Sequence, residues 1–175
     1  MVVLGGGPIG CELAQCFARF GSKVTLVEMA EQIMNREDDE FSEFIAGQFA
    51  AEGIRVLTGH RAQRIRDAGG ASVLECARGD DKVELQFDAM LVALGRAART
   101  TGYGLENLQI PLTPRGTVEV NAWLQAGYAN IYAVGDVTGP YQFTHAAAHQ
   151  AWYASVNALF SPFKKFKVDL SLIHI

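Results

Sequence analysis

The sequence predicts an α/β fold built on a parallel sheet, and three observations carry that expectation. Short β-branched runs alternate with segments whose apolar residues recur at helical spacing. The first such run, Val2-Val3-Leu4, ends in a cluster of glycines that leads directly into a helical pattern. Farther along, residues 62–87 switch to period-two alternation broken by two turn signals, which reads as a β-meander inserted into the α/β domain.

Each element has its own local reason. From Pro8 to Phe20 the apolar positions Ile9, Leu13, Cys16, Phe17 and Phe20 fall on one helical face. Proline suits the first turn, where its missing N–H is no loss, and Gly21 suits the position just past the end. Residues 23–28, KVTLVE, form the next strand, and the crossover makes it parallel to the first. A second helix spans about residues 38–51, opened by Asp38, Asp39 and Glu40 at the positive end of its dipole. Residues 54–57 read as a third parallel strand, and the meander turns at Ala68-Gly69-Gly70 and Gly79-Asp80-Asp81. Residues 88–94, DAMLVAL, return as a buried strand that ends at Gly95. A looser region, 96–116, leads to short strands near 116–120 and 131–134 and to a helix over about 144–159.

Composition narrows the function classes. With 49% hydrophobic and 19% charged residues the chain is too apolar to be disordered. A net charge of −4 without a basic cluster argues against nucleic acid or an anionic membrane surface as partner and favours small molecules or other proteins. No run approaches a membrane span and no basic signal region opens the chain, so a soluble, cytoplasmic protein is expected. Three cysteines, Cys11, Cys16 and Cys76, are too few and odd in number for a disulfide-stapled domain. Eighteen glycines against five prolines is a glycine excess that sits at element ends, where the backbone must turn tightly or approach a ligand.

The glycines of the run GGGPIG explain part of that excess. Gly5, Gly7 and Gly10 stand in G-x-G-x-x-G spacing between a predicted strand and a predicted helix, and Glu28 follows eighteen positions after Gly10. Gly5 suits the tight turn, Gly7 lets a pyrophosphate approach the backbone, and Gly10 permits close packing of helix on strand. The free N–H groups and dipole of the helix then receive the pyrophosphate, with Gly6, Pro8 and Ile9 completing the loop. A carboxylate at the end of the second strand accepts hydrogen bonds from the adenosine ribose and repels a 2′-phosphate. NAD is therefore expected over NADP.

GGGPIGCELAQCFARFGSKVTLVE, the REDDEF helix, AEGIRVL, VALGR and NIYAVGD, in this order, resemble the flavin-dependent pyridine nucleotide-disulfide oxidoreductases, which include mercuric reductase and dihydrolipoamide dehydrogenase. The resemblance covers residues 1–169. ELAQCFARFGSKVTL and the pair Gln142-Phe143 look most like mercuric reductase, whereas Glu28 and His145 look more like dihydrolipoamide dehydrogenase. It implies FAD and NAD as cofactors and a homodimeric parent that passes hydride from NADH through flavin to a disulfide or to mercuric ion. A free-standing dinucleotide-binding module without catalysis is the alternative of another class.

The same resemblance assigns residues 1–96 to a Rossmann-like NAD-binding domain, 97–163 to the second half of a FAD-binding domain and 164–169 to the start of a dimerisation domain. Gly95 and Arg96 fall at the crossover between the nucleotide domains. Asp136, after Gly135 at a strand end, matches the carboxylate that hydrogen-bonds the flavin's ribityl chain. Gln142, Phe143, Thr144 and His145 match the segment that opens a helix beneath the flavin. Glu12 matches a carboxylate near the nicotinamide pocket, and Pro8 stands where some relatives carry a gating tyrosine. The family's upstream FAD motif, redox cysteine pair and C-terminal His-Glu pair have no counterparts, so the chain is expected to be a fragment, inactive alone, with no catalytic residue of its own.

Two spacings tempt toward other chemistry. Cys11 and Cys16 have a C-x4-C spacing, but five residues of helix turn through about 500°, which separates the side chains; both are expected to be core thiols. His145 and His149 share a helix face without a third ligand, so no metal is expected. The ending LSLIHI, residues 170–175, fits no strand of the family and matches the translation of a common sequencing adapter, so it is expected to be a non-native tail.

Overall fold

A computed structural model describes residues 1–168. These divide into two compact units, residues 1–95 and residues from Arg96 onward. The expected non-native tail lies outside the described residues.

The first unit is a mixed α/β structure. Its parallel sheet contains β1 (Val2–Leu4), β2 (Thr25–Val27), β3 (Arg55–Leu57) and β7 (Met90–Val92), in the order β3-β2-β1-β7. Val2 pairs with Thr25 on one side and with Met90 on the other. α1 (Pro8–Arg19) connects β1 to β2, and α2 (Asp39–Ala51) connects β2 to β3. Both helices end in a Schellman motif. At α1, Ser22 N–H donates to Phe17 O at 3.0 Å and Gly21 N–H to Ala18 O at 2.9 Å. Gly21 sits at φ +91°, which a side chain would resist. At α2, Ile54 N–H donates to Phe49 O at 2.9 Å and Gly53 N–H to Ala50 O at 3.2 Å.

Alternation along β1 and β2 divides the apolar side chains between two cores. Val3 and Leu26 face Cys11 and Ala14 of α1 and Phe49 of α2, joined by Val24, Ile33 and Ile54. Val2, Leu4 and Val27 face the opposite way, onto Leu74, Cys76 and Leu85. That second layer is the antiparallel meander β4 (Arg61–Asp67), β5 (Ser72–Arg78) and β6 (Asp81–Phe87), in the order β4-β5-β6. Leu26 is fully buried, and trimming it to alanine would cost about 2–5 kcal/mol.

Two expectations need correction. The strand at 88–94 is not fully buried, because β7 is the edge of its sheet: Val92 is 65% exposed and Leu94 69%. Met90 and Leu91 are the positions that pack, one against each core. In the second unit, the strands expected at 116–120 and 131–134 reduce to two isolated bridges, Leu112 with Val118 and Gln125 with Tyr132. β-branched runs there find a single paired residue each and no ladder.

The second unit gathers Ile110, Val118 and Ala126 into a small core. A 3-10 turn, Gly135–Val137, precedes α3 (Thr144–Phe160). The buried stripe of α3 is Ala146, Gln150, Ala154 and Asn157, with two amides among two alanines. Asn157 Nδ2 donates to Trp123 O and Phe166 O at 3.2 and 2.9 Å, and its Oδ1 accepts the Phe166 N–H at 2.8 Å, which ties the chain after α3 back to the helix.

Candidate functional site

In the first unit the glycine loop lies between β1 and α1, as its spacing predicts. Each glycine meets a different constraint. Gly5 sits at φ +102°, and a Cβ there would come 2.3 Å from Ala93 O. A Cβ on Gly10 would fall 1.9 Å from Gly5 O, so only glycine lets α1 start this close to the loop. A Cβ on Gly7 would meet nothing within 4 Å, so this face of the loop is open. Gly7 caps α1 with no side-chain hydrogen bond to the first turn, and Pro8 follows it. The first N–H groups of a helix have no partner within it, and here no side chain supplies one.

The loop is held from behind. Gly6 N–H donates to Glu28 Oε2 at 2.6 Å, and Gly6 O accepts the Met34 N–H at 2.7 Å. The other Glu28 oxygen, Oε1, accepts the Ala30 N–H at 2.7 Å. Glu28 is partly buried at the end of β2, so the structure brings it onto the loop, while Pro8, Ile9 and Glu12 lie exposed on α1. Cys11 is buried beneath the loop, 3.3 Å from Gly6 O. Its burial, and then the carboxylates of Glu28 and Glu12, push the thiol up to about 11. It therefore stays protonated at neutral pH. Cys16 is exposed and not a core thiol, which corrects the expectation for this residue: α1 turns it away from Cys11. All three cysteines are free.

In the second unit, Arg96, Asp136 and Gln142 come together. Arg96 Nη1 donates to the Gln142 carbonyl and stands 3.4 Å from Asp136 Oδ2. Both side chains are about half exposed, at 46% and 49%, so a hydroxyl could reach the remaining lone pairs of the carboxylate. Phe143 is the N-cap of α3 and makes no side-chain cap, and no acid occupies the first turn. The Phe143 and His145 rings stack at 5.4 Å and 9° beside that terminus, with Thr144 between them in sequence. Gly95 is an exposed residue at the end of the first unit. His149 instead packs edge-on against Tyr153 at 4.9 Å. Among the described residues, no cluster of three or more His, Cys, Asp or Glu could hold a metal, and no helix is long and apolar enough to cross a membrane.

Sequence reasoning missed Gln150 and Thr138, which are 3% and 7% exposed and fix the turn that carries Asp136. Gln150 Oε1 accepts the Gly135 N–H at 2.6 Å, and Thr138 Oγ1 donates to Gly135 O at 2.9 Å. The available signal was a glutamine within the buried alanine stripe of a helix, where burial demands a partner.

Comparison with known proteins agrees with this architecture. The family model described as pyridine nucleotide-disulphide oxidoreductase matches residues 1–151. A dihydrolipoyl dehydrogenase of Corynebacterium glutamicum is 36% identical over 157 residues, which is 89% of this chain and 34% of that protein. One from Thermus scotoductus is 36% identical over 90% of this chain and 35% of its own length. The structure of the HOCl-induced flavoprotein disulfide reductase RclA from Escherichia coli superposes with a TM-score of 0.81 at 33% identity, over 95% of this chain and 37% of that one. The chain thus spans about a third of the length of the relatives it matches. On the match across residues 1–151 and these likenesses, the chain belongs to the pyridine nucleotide-disulphide oxidoreductase family.

Proposed function

We propose that residues 1–96 bind NADH and that residues 97–163 contribute part of a FAD site, within an oxidoreductase that moves electrons from NADH to a disulfide-type acceptor. The observation that carries this reading is the loop Gly5–Gly10, with an open face at Gly7 and a carboxylate fastened behind it. The residues fit a dinucleotide: a Cβ-free approach to an uncapped helix terminus suits a pyrophosphate, and Glu28 retains lone pairs for ribose hydroxyls. They also fit the ribityl side of a flavin, since Asp136 offers an exposed acceptor and α3 an uncapped N-terminus. Bound FAD supplies the two-electron relay between nicotinamide and acceptor.

The chain's own residues then have separable tasks. Gly7 and the first turn of α1 seat the nucleotide, Glu28 selects an unphosphorylated ribose, and Asp136 orients the flavin's hydroxylated chain. The first-turn N–H groups of α3, at Thr144 and His145, would present a positive dipole end to electron-rich atoms of a bound flavin. The resemblance of the chain to dihydrolipoyl dehydrogenases favours a dithiol/disulfide couple as the substrate over mercuric ion, and extends the proposal to a homodimeric parent.

Steady-state kinetics of the flavin-loaded gene product tests the reading. Its kcat/KM should be higher with NADH than with NADPH, and a lipoyl-type disulfide should be reduced faster than mercuric ion. Equal or better use of NADPH would remove the role given to Glu28, and exclusive turnover of mercuric ion would overturn the choice of acceptor.

A further inference from the structure

We propose that Gln150 is a positioning residue for Asp136 that sets how well this carboxylate meets the flavin. The proposal rests on the reading of Asp136 given above. Gln150 is buried in α3, and its Oε1 accepts the Gly135 N–H at 2.6 Å. Thr138 Oγ1 stands 3.5 Å from the same oxygen and gives its proton to Gly135 O at 2.9 Å. Both backbone polar groups of Gly135 are thus answered by two buried side chains. Gly135 itself lies against α3 so closely that a Cβ would come 3.1 Å from Ala147 Cβ. Asp136 is the next residue, and it is exposed.

The helix therefore grips the turn at two points one turn apart, Ala147 and Gln150, and leaves the Asp136 carboxylate half exposed beside Arg96, where it can face a ligand. A glutamine gains nothing over methionine from packing in this stripe, and its Oε1 answers a specific need, the buried Gly135 N–H. Without that acceptor the N–H must find another partner, and the turn must rotate to reach one. Rotation at Gly135 displaces Asp136, although Asp136 and Gln150 do not touch in sequence or through a shared bond.

The test compares five flavin-loaded gene products: the unmodified protein, Gln150→Met, Gln150→Glu, Asp136→Ala, and Gln150→Met combined with Asp136→Ala. Three quantities are measured: the FAD dissociation constant by flavin fluorescence, the visible spectrum of the bound flavin, and Tm. Asp136→Ala and Gln150→Met should each weaken FAD by about tenfold or more, the scale of one hydrogen bond to a charged group. The double variant should be within about threefold of Asp136→Ala, because Gln150 acts through a group already removed. Gln150→Glu keeps the acceptor oxygen, so it should keep FAD affinity and spectrum even where its buried charge lowers Tm.

Full additivity in the double variant would overturn the proposal and leave Gln150 a structural residue. Unchanged FAD affinity in Asp136→Ala would instead sink the reading of Asp136, and the inference with it. If Gln150→Met does not fold, the glutamate variant decides: unchanged FAD affinity in a less stable protein supports the proposal, and parallel loss of both overturns it.

Discussion

The Glu28 carboxylate is fastened to the glycine loop through Gly6, whose N–H it accepts at 2.6 Å, while its second oxygen holds Ala30 N–H at 2.7 Å. A residue expected to act only on a ribose is thus also the clasp of the loop that would receive the pyrophosphate. In the proposed reading, ribose selectivity and loop geometry would be coupled in one side chain.

Glu28→Ala should therefore lower stability as well as affinity. Two partly buried backbone donors lose a charged acceptor, which costs about 1.5–3 kcal/mol on the scale of such bonds. Glu28→Gln keeps one acceptor oxygen but turns an NH2 toward the second amide, so it should fall between the two. Thermal melts without nucleotide, alongside NADH titrations, measure both effects. A Glu28→Ala protein that binds NADH more weakly at an unchanged Tm would show that the clasp contributes nothing to the fold.

Gly7 and Gly10 should respond oppositely to the same methyl group. In Gly10→Ala the Cβ falls 1.9 Å from a backbone oxygen, so α1 must separate from the loop and the protein should lose more than about 3 kcal/mol. In Gly7→Ala the Cβ enters open space at an ordinary φ of −77°, and the fold should lose about 1 kcal/mol or less, the scale of a helix cap. That methyl group would nevertheless occupy the approach proposed for the pyrophosphate, so NADH binding should fall by about tenfold or more. Denaturant melts and fluorescence titrations of the two variants separate a packing glycine from a ligand-facing one.

The glycine loop, both flanking helices and the meander were legible because each is specified by neighbouring residues: a β-branched run, a proline and a glycine at the helix limits, a turn pair between alternating strands. Features set by distant parts of the chain were not. β7 reads as a buried strand because its residues are apolar, yet its place at the sheet edge leaves Val92 and Leu94 exposed. The runs at 116–120 and 131–134 have strand composition but only isolated bridges, since a ladder depends on the partner as well as the propensity. Arg96 approaches Asp136 across forty residues, and Gln150 reaches Gly135 across fifteen, distances over which no period operates.

The thiols make a prediction about pH. The Cys11 thiol is raised from its ordinary 9.0 to about 11 by burial and by the Glu28 and Glu12 carboxylates. The folded state therefore holds this proton more tightly than the unfolded chain. The stabilisation is complete below pH 9 and is lost as pH rises toward 11. Cys11→Ala should flatten that part of the stability-versus-pH curve, measured by denaturant melts from pH 8 to 11. At pH 8 a thiol reagent should label the exposed Cys16 first, with Cys11 and Cys76 reacting only on unfolding. Rapid labelling of all three in the folded protein would contradict the burial of the loop's underside.

The last prediction separates nucleotide binding from flavin retention. The G-x-G-x-x-G spacing occurs once in the 175 residues, and its loop is built from contacts within the first unit: β1, α1, Glu28 and Met34. These residues, expressed by themselves, should bind NADH and shift its fluorescence on titration. FAD is a different matter, because in the proposed reading Asp136 and the start of α3 would address only part of that cofactor. A polypeptide with a single such loop offers a second dinucleotide no cradle of this kind, and each charge-assisted hydrogen bond so forgone is worth about 1.5–3 kcal/mol. The isolated polypeptide should therefore emerge from purification colourless, and NADH should reduce neither added disulfide nor dye. Absorbance at the flavin bands after gel filtration gives the first answer and an NADH titration the second. A yellow preparation would require a second dinucleotide cradle formed by these residues, and the absence of any NADH signal would remove the assignment of the loop itself.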